Sequence, residues 1–253
     1  MSFAGRPSSR QSPMEETLSK LVTDLKTLYG NRLVALFLYG SAVSGDYHEK
    51  FSDLNILCVL SAISLDLLAK AEKTITWFVK QGNAPPLFLS RDEIEHSHDV
   101  FPIEFLDIQA NHRLLFGEDV FRGLDIAREN HRLELEHEVR TKLIGLRQGY
   151  LTDCPDAKAV EALMLRSVPA FITLFRHTLM LMGHKVPLQK RDIVELCCSK
   201  SNLDESLFLH LLKLREEGRS LSPAEVGPTF ERYFREIGKL VELVNHLPKG
   251  KES

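Results

Sequence analysis

With 253 residues, 43% hydrophobic and 26% charged, the chain has the composition of a soluble globular protein and enough apolar mass for one large core or two modest ones. Residues 1–122 carry 12 Lys and Arg against 16 Asp and Glu, and residues 123–253 carry 20 against 19, so neither half is basic enough for a dedicated nucleic-acid binder and DNA is disfavoured as a partner. No apolar run reaches the ~18 residues that span a bilayer, and residues 1–13 lack the apolar stretch of a signal peptide; this excludes a membrane partner and makes the cytoplasm the expected compartment.

The elements follow in order. Residues 1–13, rich in Ser, Pro, Arg and Gln, are expected to be a disordered leader. Leu18, Leu21, Val22, Leu25 and Leu28 recur at helical spacing and predict a helix over 14–29, stopped at Gly30. A strand is expected over 32–39 and a second over 55–60, followed by an amphipathic helix over 65–80 and a short strand over 85–89. Ser90 with Glu93 has the pattern of a capping box. The segment 101–108 embeds Glu104 and Asp107 among apolar residues and is expected to be a strand. Its alternating faces would let only one of the two acids face a site.

Beyond Gly123 the period becomes helical throughout. Helices are expected over 124–151, 157–182 with a kink at Pro169, 191–198, 204–217 and 228–247, which together describe a helical bundle. The four cysteines, Cys58, Cys154, Cys197 and Cys198, form no zinc-type pair and are expected as thiols in or near the core without structural disulfides. The histidines are expected to be packed or solvated.

Chemistry concentrates in Leu36-Phe37-Leu38-Tyr39-Gly40-Ser41-Ala42 and Ser52-Asp53-Leu54-Asn55-Ile56. An apolar strand ends in Gly-Ser, a polar loop follows, and an acid opens the next apolar run. Gly40 lets backbone approach a ligand without a Cβ in the way, Ser41 opens a segment whose N–H groups can face a phosphate, and Asp53 can hold a Mg²⁺ that also bridges phosphate oxygens.

This pattern resembles the nucleotidyltransferase superfamily, the DNA polymerase β-like group that includes bacterial antibiotic and minimal nucleotidyltransferases. Its signature is Gly-Ser, about ten residues, an acidic–apolar–acidic–apolar strand, and a third acid on a later strand. Tyr39-Gly40-Ser41 and Asp53-Leu54-Asn55-Ile56 match the first two parts, with Asn55 in place of the second acid. The resemblance implies an α+β fold, with a nucleotidyltransferase-like mixed sheet and flanking helices over residues 14–122 and an all-α bundle over 123–253. It implies Mg²⁺-dependent transfer of a nucleoside monophosphate from an NTP, with ATP the expected donor, to a hydroxyl-bearing acceptor that is a small molecule or a protein. Gly40 and Ser41 would bind the nucleotide, Asp53 and Asn55 the metal, and Glu104, with Asp107 in reserve, would act as base. Asn55 contributes no charge, so a second reading stays open: a weak or inactive nucleotide-binding protein, resembling the antitoxin-like partners among minimal nucleotidyltransferases. A homodimer or a protein partner is compatible with both.

Overall fold

The computed structural model describes residues 12–44 and 53–248. The expected leader lies almost wholly outside them. The first helix, α1, spans Pro13–Tyr29, with the Ser12 hydroxyl accepting from Glu15 N–H at its start and proline in its first turn. One 3₁₀ turn later, β1 runs Leu33–Tyr39 and is followed by the short helix α2, Ser41–Ser44. Strand β2 spans Asn55–Leu60.

The predicted helix over 65–80 is two helices, α3 (Leu65–Lys70) and α4 (Glu72–Lys80), joined at Ala71. They return the chain to β3, Leu87–Ser90, which lies parallel to β2. Ser90 then caps α5, Arg91–His96, and the capping box is complete: Glu93 N–H donates to Ser90 Oγ at 3.1 Å and Ser90 N–H to Glu93 Oε2 at 2.6 Å.

The segment expected as a strand bearing the third acid is instead helix α6, Pro102–Ala110. Three features of the sequence favour the helix. Pro102 supplies a fixed φ at the first helical position. Phe105 and Ile108, both buried, are three apart and share a side. Glu104 and Asp107 are also three apart, neighbouring positions on a helix rather than opposite faces of a strand. The fourth strand, β4, comes afterwards at His112–Gly117.

The sheet order is β3-β2-β1-β4, with β1 antiparallel to both β2 and β4. The apolar side of α1 (Leu18, Leu21, Leu25, Tyr29) packs with Leu36, Leu38, Ile56, Cys58 and Leu60. On the other face, Phe37 meets Phe121 edge to face at 5.5 Å.

The remaining helices are α7 (Arg128–Asp153), α8 (Ala157–Leu181), α9 (Lys190–Ser201), α10 (Glu205–Glu217) and α11 (Pro223–Asn245). The last begins a turn earlier than its periodicity predicts, because Ser222 and Glu225 form a second capping box ahead of Pro228. Helix α8 supplies much of the bundle core. Its Phe175 packs edge to face on Phe208 at 4.8 Å, and its Ser167 hydrogen-bonds the Tyr233 hydroxyl at 2.8 Å. Buried polar groups tie helices together: Arg132 donates to the carbonyls of Leu247 (3.1 Å) and Asn245 (3.2 Å) at the end of α11, and His131 Nε2 and His177 Nδ1 meet at 2.9 Å.

The chain divides into two compact units, residues 1–97 with 107–124, and residues 98–106 with 125–253. Cys58, Cys197 and Cys198 are buried free thiols; Cys154, contrary to expectation, is exposed. Among the described residues, no helix is long and apolar enough to cross a membrane.

Candidate functional site

At the end of β1 the backbone turns at Gly40, with φ +77°, a conformation L side chains rarely adopt. Val43 N–H closes the turn on Gly40 C=O at 3.0 Å. The Ser41 side chain and residues 45–52, which include the rest of the motif loop, lie outside the described residues.

The chain is described again at Asp53, exposed, followed by Leu54, 3% exposed. Strand β2 begins two residues after Asp53, at Asn55. Asn55 pairs with Tyr39 across the β1–β2 ladder. Its side chain lies against Gly40: a Cβ placed there would stand 2.8 Å from Asn55 Nδ2. Gly40 and Asn55 are thus in direct apposition, and a larger residue at 40 would displace the Asn55 amide.

A residue that the motif does not contain holds this arrangement. Asn83, just past α4, accepts from Leu54 N–H at 3.2 Å through its Oδ1 and donates to Phe78 C=O at 3.2 Å through its Nδ2. One amide therefore fixes the backbone between Asp53 and Asn55 and ties it to the last turn of α4. A lone Asn after a helix is common turn chemistry, so the sequence offers no sign of this role.

The same row of the sheet continues to His112, which opposes Tyr39 from β4. Directly paired residues face the same side, so Asn55, Tyr39 and His112 line one face. His112 Nδ1 donates to Ile108 C=O at 2.7 Å, its Nε2 lies 3.4 Å from Asp119 Oδ2, and its ring packs on Phe37 at 5.1 Å. The sequence left it as a histidine either packed or solvated; here it is packed.

Of the acids expected to complete the site, Asp107 belongs to the first unit and Glu104 to the second. The first unit brings Gly40 against Asn55 and also contains Asp53, two residues before Asn55; Glu104 belongs to the other unit. Gln109 ties the C-terminal half of α6 to the carbonyls of Phe121 (3.1 Å) and Leu124 (2.9 Å). At the other end Glu134, from α7, accepts from Ile103 N–H at 2.7 Å. Burial, opposed by that hydrogen bond and reinforced by the nearby charges of Glu104 and Glu138, pushes the Glu134 carboxyl up to about 7. A pocket of about 450 Å³ beside it is lined by Asp99, Phe101, His137 and Glu138. Glu134 was invisible in the sequence because α7 is dense in glutamates and only tertiary contact distinguishes one of them.

The four-stranded mixed sheet with flanking helices, followed by a helical region, is consistent with a nucleotidyltransferase-like fold, which a solved adenyltransferase shares. Among solved structures the chain is similar to spectinomycin adenyltransferase AAD(9) from Enterococcus faecialis, solved with ATP and spectinomycin, with a TM-score of 0.56 and 15% identity over 88% of this chain and 99% of that one. No protein-family model and no curated protein matches the chain.

Proposed function

We propose that the protein is a nucleotidyltransferase that moves a nucleoside monophosphate, AMP from ATP in the first instance, onto a hydroxyl of a small-molecule acceptor. The observation that carries this reading is the apposition of Gly40, at positive φ, with Asn55, the first residue of β2, two residues after Asp53. The fold shared with an adenyltransferase solved with ATP supports it.

The donor set suits Mg²⁺. That ion is held by one or two carboxylates together with substrate phosphates and waters rather than by an all-protein cage. Asp53, just ahead of β2, would supply a carboxylate, and Asn55, the first residue of that strand, an amide oxygen. When bound, Mg²⁺ supplies positive charge against the triphosphate.

The protein's own residues then divide the work. Backbone at Gly40 and Ser41 receives the phosphates. Asp53 and Asn55 orient them, with Asn83 fixing the strand between. Glu104, with Asp107 in reserve, takes the proton of the acceptor hydroxyl as its oxygen attacks the α-phosphorus and pyrophosphate leaves.

The test is transfer of label from each α-labelled NTP, with Mg²⁺, to a panel of hydroxyl acceptors that begins with spectinomycin, alongside calorimetric nucleotide binding. Asp53→Ala should abolish metal-dependent binding, and Glu104→Gln should spare binding while stopping transfer, since a base acts on the acceptor and not on the triphosphate. Asn55→Asp should tighten metal binding and hold or raise transfer, because it restores a ligand charge. Nucleotide binding without transfer to any acceptor, unchanged in Asn55→Asp, would establish the binding-protein reading instead.

A further inference from the structure

Two asparagines stand beside the motif, and their amides are used differently. Asn83 commits both ends of its amide to backbone, with Oδ1 accepting from Leu54 N–H and Nδ2 donating to Phe78 C=O. Asn55, the residue after Leu54, is half-buried, and among the described residues its side chain makes no hydrogen bond. Both ends of that amide are open to a ligand.

The geometry fixes which end faces Gly40. Asn55 pairs with Tyr39, the residue before Gly40. A Cβ built on Gly40 would lie 2.8 Å from Asn55 Nδ2, 3.7 Å from its Cγ and 3.9 Å from its Cβ. The amide nitrogen is thus the end turned toward Gly40, and the oxygen is the end turned away. The carbonyl of Gly40 is itself engaged by Val43 N–H at 3.0 Å. An ionised aspartate at position 55 would offer only acceptors, whereas the asparagine amide offers two N–H donors.

We propose that Asn55 is a phosphate-binding residue of the nucleotide site: its Nδ2 donates to an oxygen of the triphosphate, while Oδ1, at the other end of the amide, stays available to Mg²⁺. The proposal rests on the reading of Gly40 as the place where the phosphates are received. It gives the departure from an acidic pair a function of its own. With one carboxylate instead of two beside the triphosphate, and a donor added, the site accepts the anion before the metal; a second carboxylate would repel it until the metal is bound.

One substitution then acts in opposite directions on two ligands. Asn55→Asp keeps the shape of the side chain, removes the donor and adds a charge, so it tightens Mg²⁺ binding and weakens metal-free binding of polyphosphate. The probe is inorganic tripolyphosphate titrated calorimetrically in EDTA, which reads phosphate recognition apart from metal, base and acceptor. A hydrogen bond to a charged partner is worth roughly ten- to a hundredfold. Asn55→Ala should therefore bind tripolyphosphate roughly tenfold or more weakly than wild type, and Asn55→Asp more weakly still. In the Gly40→Ala background, where the amide is already displaced, Asn55→Ala should cost much less. A second readout is the side-chain amide proton pair of Asn55 in ¹⁵N-labelled protein, identified by its absence in Asn55→Asp, which should shift when tripolyphosphate is added in EDTA.

Equal tripolyphosphate affinity in wild type and a folded Asn55→Ala, an Asn55 amide pair unmoved at saturation, or no metal-free binding by wild type overturns the proposal. The nucleotide-site reading survives any of these if nucleotide binding with Mg²⁺ is present and is lost in Asp53→Ala. Should Asn55→Ala fail to fold, the near-isosteric Asn55→Asp decides, and equal or tighter metal-free binding there overturns the proposal. If no nucleotide binds even with Mg²⁺, the nucleotide-site reading falls and this proposal with it.

Discussion

Replacing Gly40 by alanine tests the centre of the candidate site with a single methyl group. The cost has two sources. Holding an L residue at φ +77° costs about 1–2 kcal/mol. The methyl carbon would also stand 2.8 Å from Asn55 Nδ2, which forces the amide off its rotamer at about 0.5–1.5 kcal/mol. Together they predict a loss of about 1.5–3.5 kcal/mol, read as a lower urea midpoint at unchanged m-value. Gly82 is the internal control: its φ is +89° and nothing lies within 4 Å of a Cβ there, so Gly82→Ala should carry only the backbone share. In a double-mutant cycle, Asn55→Ala should recover the contact share in the Gly40→Ala background, a coupling of about 0.5–1.5 kcal/mol. Calorimetry should find weaker nucleotide binding in Gly40→Ala and no change in Gly82→Ala. Equal losses at both glycines with no coupling to Asn55 would refute the apposition on which the site is built.

Three further outcomes are expected. Asn83→Ala leaves Leu54 N–H without its partner and should cost about 1–3 kcal/mol, with weaker metal-dependent nucleotide binding that Asn83→Asp, which retains the acceptor, partly restores; calorimetry of the two variants checks it. Phe175→Ala, a fully buried ring in the bundle core, should cost about 3–5 kcal/mol in denaturant unfolding. The third concerns Glu134, whose carboxyl is raised in the fold from an ordinary 4.5 to about 7. The folded state then binds the proton more tightly than the unfolded state, so this group's contribution is fully present below about 4.5 and is lost as pH rises through about 7. Glu134→Gln removes that dependence, and its melting temperature relative to wild type should be higher at pH 8 than at pH 5.

What the sequence made legible follows from how local each signal is. Strands β1 and β2 were found because both are short apolar runs with sharp ends, and the capping box of α5 because Ser90 and Glu93 sit three residues apart. Gly40 and Asn55 were identified individually, but their contact is set by the Tyr39–Asn55 register, which no single segment encodes. The break at Ala71 and the early start of α11 were missed because hydrophobic period does not mark where one helix stops or the next is capped. Helix α6 was missed for a different reason. Six apolar residues in nine read equally well as a buried strand or a buried helix, and the decision is made by Pro102 and by Glu134, 31 residues away, which accepts from Ile103 N–H. Asn83 and Glu134 escaped notice because each acts on a backbone amide remote in sequence.

The replacement of the expected strand by a helix changes what positions the third acid. On a strand, pairing register would fix which of Glu104 and Asp107 faces a ligand, and a one-residue slip would exchange them. On α6 no register applies; orientation depends on how the helix is rotated and anchored. Its C-terminal half is anchored in the first unit by Gln109 on the carbonyls of Phe121 and Leu124, and its N-terminal half in the second by Glu134 on Ile103 N–H. The acid nearest the second anchor is Glu104, whose charge, after burial, helps to raise the Glu134 carboxyl. A single residue of α7 therefore holds the start of the helix that carries Glu104, so a substitution at Glu134 should loosen that end of α6 without removing any group proposed to touch substrate.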